Sequence, residues 1–144
     1  MSKQKLLKHL ENDIYCRIGV SKISGVGVIA IKDIPSGTNP FKTLSKEKEK
    51  IIELNNVDIK KLDTGVKKIL TDFFGNDKLN RFDVLASGPN NLNVSFYMNH
   101  SDKPNIDIIV KNNSEYLEFI SNRLIKKGEE LTINYNVYNE YESS

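Results

Sequence analysis

Met98-Asn99-His100-Ser101-Asp102-Lys103-Pro104-Asn105 and, further on, Gly128-Glu129-Glu130-Leu131-Thr132-Ile133-Asn134-Tyr135 decide how this chain reads. The first is a polar, turn-forming octet set directly after the apolar run Val94 to Met98. An apolar run ending in Asn-His-Ser implies that its backbone meets a ligand or a crossing chain, because buried polar groups need partners. The second is a short strand that delivers a tyrosine to its end. Together they predict an active site.

Outward from these segments, the hydrophobic pattern sets the elements. Ile14 to Ser21 alternates Ile14, Cys16, Ile18 and Val20 with Tyr15, Arg17, Gly19 and Ser21, the period of a half-buried strand. Ser24-Gly25-Val26-Gly27 is a turn, Val28 to Ile31 a second β-branched run, and Asp33-Ile34-Pro35-Ser36-Gly37 another turn. Lys3 to Glu11 predicts a short helix with Leu6, Leu7 and Leu10 on one face. In the middle, Ser45 caps a helix expected to run through Glu53, with Ile51, Ile52 and Leu54 as its stripe. Asp63 or Thr64 starts another, with Val66, Ile69, Leu70, Phe73 and Phe74 on one face and Gly75 past its end. Gly88-Pro89-Asn90-Asn91 is loop. The strand period then returns at Val94 to Met98, Ile106 to Lys111, Tyr116 to Ser121 and Leu131 to Tyr135, with a hairpin turn at Asn112-Asn113-Ser114. Strands, a helical insert and strands again predict an α+β, mainly β domain spanning 1–144.

At 144 residues, 38% hydrophobic and 28% charged, the chain fits one domain with a modest core. No run reaches the ~18 apolar residues of a membrane span, and the first residues lack a signal-peptide apolar region. The single cysteine, Cys16, excludes an internal disulfide and a zinc cluster built from the chain's own thiolates. An intracellular protein with no membrane association is expected. A net charge of +2 is too small to argue for direct nucleic-acid binding. The second half carries Glu115, Glu118, Glu129, Glu130, Glu140 and Glu142, a local acidity that suits a basic polypeptide.

Each candidate residue has more than one reading. Gly25 and Gly27 permit positive φ or close approach of a ligand, and equally serve a plain hairpin. They are no dinucleotide fingerprint, since the third glycine and the following helix are missing. Asn99 and His100 bind a ligand or simply fasten a loop. His9 and His100 have no carboxylate at metal spacing, so no metal site is expected. Tyr135 is catalytic or a core tyrosine with an exposed hydroxyl. Cys16 reads as a small buried hydrophobe without an activating positive neighbour.

In order, these motifs resemble the SET domain, the protein-lysine methyltransferase fold. Gly25-Val26-Gly27-Val28, with Ala30 and Ile34-Pro35-Ser36-Gly37, resembles its N-terminal Gly-x-Gly motif. Phe96-Tyr97-Met98-Asn99-His100-Ser101 with Pro104-Asn105 resembles its Asn-His-Ser-x-x-Pro-Asn motif, and Gly128 to Tyr135 its last strand. The resemblance covers 14–41 and 91–136, leaving 42–90 as a variable helical insert and 137–144 as a tail. It implies short strands in small sheets, closed by a C-terminal pseudo-knot across the Asn-His-Ser segment.

The resemblance also implies S-adenosylmethionine as cofactor, held by Gly25, Val26, Gly27, Tyr97, Asn99 and His100. It implies in-line methyl transfer to a lysine amine of a protein substrate, a histone or another basic protein, oriented by Tyr135. Ile133, Tyr138 and Tyr141 are the expected channel residues. The chain departs from the pattern at Asp102, where a cysteine commonly follows the triplet, and at Asn134, where an aspartate often precedes the tyrosine. No cysteine-rich segment follows Tyr135, which implies closure of the channel by the tail or by a second subunit in a homodimer. The expected place of action is nucleus or cytoplasm, or a host cell if the source is viral. The alternative function is a catalytically silent SET-like module that binds a peptide or partner.

Overall fold

A computed structural model of the chain describes residues 2–45, 50–76, 79–110 and 117–136. Helix α1 (Lys3–Asn12) begins at Ser2, whose side chain accepts the Lys5 N–H as an N-cap. Strands β1 (Cys16–Val20) and β2 (Val26–Ala30) pair antiparallel, Cys16 opposite Ala30 and Val20 opposite Val26. The next described elements are β3 (Ile51–Leu54), α2 (Thr64–Phe74), β4 (Gly75–Asn76) and β5 (Arg81–Leu85). Two single 3₁₀ turns, Pro89–Asn91 and Val94–Tyr97, lead to β6 (Asn99–His100). Further on, β7 (Ile106–Val110) pairs antiparallel with β8 (Leu117–Ser121), and the last described strand is β9 (Glu130–Ile133).

These strands form three small sheets, ordered β1-β2-β9-β6, β3-β5-β4 and β7-β8. In the first, β9 runs antiparallel to β2 and parallel to β6, with Asn99 opposite Thr132 and His100 opposite Ile133. The last described strand is therefore inserted between one from the start of the chain and one from the Asn-His-Ser segment. This is the expected mainly β, α+β SET-type architecture.

Two cores support it. The main one joins Val28, Ala30, Ile34, Met98, Ile106, Ile108, Ile125, Leu131 and Ile133. Val28 and Ala30 of β2, Ile106 and Ile108 of β7, and Leu131 and Ile133 of β9 enter it two residues apart, and Ile34, Met98 and Ile125 complete it from outside the strands. The smaller core gathers Ile59, Leu70, Phe74 and Val84 under the β3-β5-β4 sheet.

Three expectations are corrected, one of them at the site, where the strand expected over Leu131 to Tyr135 is Glu130–Ile133 and stops short of the tyrosine. The helix expected through Glu53 is not formed at its apolar end: Ile51 to Leu54 is strand, paired with Leu85 to Phe82. Ile-Ile-Glu-Leu fits either period, and a partner 30 residues away decides; residues 46–49 lie outside the described residues. The strand expected at Val94 to Met98 is a 3₁₀ turn over Val94–Tyr97. Asn93 caps it by accepting the Ser95 N–H at 2.9 Å, a local bond that competes with extension. Phe96 and Tyr97 then dock on Phe74 and Phe73, with ring centroids 5.8 and 5.6 Å apart, which fastens the insert to the main core. The proposed hairpin turn Asn112-Asn113-Ser114 lies outside the described residues.

Candidate active site

The turn between β1 and β2 is organised by one hydroxyl. Ser21 Oγ accepts the N–H groups of Ile23 at 2.9 Å and Ser24 at 3.1 Å, and the Gly25 carbonyl accepts the Ser21 N–H. Gly25 has φ +52°, the left-handed region that favours glycine, and a Cβ there would have no atom within 4 Å. The turn thus leaves open space beside Gly25.

Asn99 ties this turn to β6. Its Nδ2 lies 3.0 Å from Ser21 Oγ, 3.2 Å from the Ser24 carbonyl, 3.1 Å from the Val26 carbonyl and 2.8 Å from Glu130 Oε2. Val26 therefore serves through its backbone, with its side chain half exposed. On the other side of β6, the Ser101 N–H reaches the Ile133 carbonyl at 2.9 Å.

His100 holds the tyrosine segment. Its Nδ1 accepts the Tyr135 N–H at 3.0 Å, so the ring hydrogen belongs on Nε2, which donates to Asp102 Oδ1 at 3.0 Å. Asp102 thus acquires a role: it fixes the tautomer that lets His100 accept. Asn134 takes a local role as well, its Oδ1 accepting the Asn136 N–H at 2.9 Å.

Tyr135 lies with its ring 5.2 Å from that of His100, and its hydroxyl donates to the Met98 carbonyl at 2.6 Å. Burial pushes its phenol above the usual tyrosine value, and the nearby Glu130 charge pushes it the same way. At neutral pH it is a neutral hydrogen-bonding group and not a base. It remains 44% exposed.

The structure brings together Gly25, Val26, Gly27, Asn99, His100 and Tyr135. Tyr97 instead packs between Phe73 and the main core, and Ile133 is 7% exposed within that core. The Ile133 side chain is thus buried, while that of Tyr97 is partly buried. Tyr138 and Tyr141 lie outside the described residues. Two participants went unrecognised in the sequence, Ser21 and Glu130. Glu129 and Glu130 look alike there, yet Glu129 turns outward to Arg123 and the Lys126 N–H, which hold its carboxyl below the usual range. Only strand register separates the two.

Cys16 takes no part in the site. Burial pushes its thiol up to about 11, so the nucleophilic thiolate is scarce at neutral pH. Iodoacetamide at pH 8 is expected to leave the native thiol largely unmodified and to label it readily in urea. Equal labelling in both states would contradict the burial.

Among known proteins, the family model described as the SET domain matches residues 25–136. No curated protein matches the chain. Among solved structures, a candidate histone methyltransferase from Plasmodium falciparum is similar at 22% identity and a TM-score of 0.48. That match covers 85% of this chain and 93% of the other.

Proposed function

The chain belongs to the SET domain family of protein methyltransferases, and from that premise we propose that it transfers a methyl group from S-adenosylmethionine to a lysine side chain of a protein substrate. A histone or another basic protein suits the reading. The observation that carries it is the Tyr135 hydroxyl, held on the Met98 carbonyl beside the parallel β6-β9 crossing.

The residues present fit the cofactor. Gly25 leaves open space at a left-handed turn, and the Asn99 amide ties that turn to β6 through the Ser24 and Val26 carbonyls. Bound there, S-adenosylmethionine would supply the methyl group. The chain's own residues orient the acceptor. With its hydrogen committed to Met98 O, the Tyr135 oxygen still has lone pairs. It can accept one N–H of an amine and so aim the nitrogen lone pair. The amine must first lose a proton, since lysine's reference pKa is ~10.4. A desolvating channel favours the neutral amine. Alignment of reactants then lowers the barrier by up to ~7–11 kcal/mol.

The silent-module reading drew on Asp102 and Asn134. Both side chains make local bonds that support the Tyr135 segment, which favours a working enzyme.

Calorimetric titration with S-adenosylmethionine tests the proposal. Saturable heat, followed by transfer of labelled methyl to histone or lysate proteins, is the expected result. No heat together with retained peptide binding would point to the silent module instead.

A further inference from the structure

Glu130 sits where three segments meet. Ser21 Oγ has three donors within reach, the N–H groups of Ile23 and Ser24 and the Asn99 amide at 3.0 Å, which between them occupy both of its lone pairs. A hydroxyl has one hydrogen and two lone pairs, so the Ser21 hydrogen must go to an acceptor. Glu130 is that acceptor, with Oε1 at 2.7 Å and Oε2 at 2.9 Å. Its Oε2 also receives the Asn99 amide at 2.8 Å. The same carboxylate lies against Gly27. A Cβ at Gly27 would stand 2.5 Å from Glu130 Oε2, 2.9 Å from its Cδ and 3.1 Å from Asn99 Nδ2. Gly25 has open space, whereas the space at Gly27 is filled from inside the protein.

We propose that Glu130 is a positioning residue: its carboxylate, seated against Gly27, locks the Ser21-to-Gly27 turn onto Asn99 and shapes the cofactor pocket. Gly27 is glycine to admit that carboxylate and not to admit the ligand. This rests on the methyl-donor reading given above. It is nevertheless separable from it, because the clash at Gly27 is internal to the chain.

A double-mutant cycle of Gly27→Ala and Glu130→Ala decides it, read by S-adenosylmethionine affinity, by the KM for the cofactor against kcat, and by thermal midpoint. In the otherwise native chain, Gly27→Ala is expected to weaken binding about tenfold or more and to lower the midpoint. In the Glu130→Ala background, adding Gly27→Ala should cost several-fold less, because the obstructing carboxylate is gone and only the Asn99 amide, 3.1 Å from the added Cβ, is left to give way. Equal costs in both backgrounds would overturn the proposal and assign the glycine to the ligand. Ser21→Ala keeps the cycle decisive if Glu130→Ala folds poorly. It should raise the cofactor KM about fivefold with kcat little changed, a split that general destabilisation does not produce. An unchanged KM would count against Glu130 acting through the turn. If the native protein shows no cofactor binding, the methyl-donor reading fails, and the thermal-midpoint cycle still decides the packing of Glu130 on Gly27.

Discussion

Tyr135→Phe is expected to keep cofactor binding and lose most methyl transfer, by about 10²–10³-fold, the scale seen when one preorganised hydrogen-bonding group is removed. The variant deletes only the hydroxyl that donates to Met98 O at 2.6 Å. The ring stays beside His100, and the Tyr135 N–H still reaches His100 Nδ1, so the segment keeps its place. Calorimetry should therefore give similar heats and affinity for S-adenosylmethionine, while labelled transfer falls. Unchanged turnover would remove Tyr135 from the mechanism. The raised phenol pKa adds a sign. Burial, with Glu130 nearby, keeps the hydroxyl protonated above the usual tyrosine range. Ionisation of Tyr135 should then produce no rise in rate between pH 7 and 9, and its hydrogen bond is lost only at more alkaline pH. A rate that climbs with the Tyr135 ionisation, and flattens in Tyr135→Phe, would mean a general base.

The candidate site could be read from sequence where its residues are local in the chain. Asn99 and His100 are consecutive, and Tyr135 follows an alternating strand, so their types and order carried the reading. Their geometry was not legible, because β6 meets β9 through a pairing more than 30 residues apart. The same non-locality hid β3. Ile51 and Ile52 favour a strand only once Leu85 and Val84 lie opposite. At Val94 to Tyr97 the β-branched start suggested extension, but the Asn93 cap and the docking of Phe96 and Tyr97 on α2 decided otherwise. Gly27 is the subtler case. Its residue type fitted a ligand's approach, and the structure fills that space with Glu130. Sequence shows that a side chain is forbidden there without showing what forbids it.

Asn105→Ala carries the largest expected cost in stability. Asn105 is 4% exposed and spans both sides of Leu131: its Nδ2 donates to the Glu130 carbonyl at 2.9 Å, and its Oδ1 accepts the Thr132 N–H at 2.9 Å. Alanine would leave that donor and acceptor without partners beside a fully buried Leu131. An unsatisfied buried polar group costs about 1–3 kcal/mol, so the pair amounts to roughly 2–5 kcal/mol. Against a typical domain stability of about 5–15 kcal/mol, this is a large share. Urea unfolding should show a lower midpoint with little change in slope. Asn122→Ala is the matched control, because its side chain bonds to the Pro104 carbonyl and Asp107 at an exposed position where water can substitute. It should cost well under half as much. Asn105→Asp separates the two bonds further. It keeps the acceptor for the Thr132 N–H but sets a carboxylate against the Glu130 carbonyl, so it should be destabilised most above the carboxylate's pKa and partly recover as pH falls. Equal stability of Asn105→Ala and the native chain would mean that β9 is held by its strand partners alone. Because the same side chain holds the backbone of Glu130, the Asn105→Ala protein that stays folded should also bind the methyl donor more weakly, linking the loss of a buried amide to the loss of the pocket.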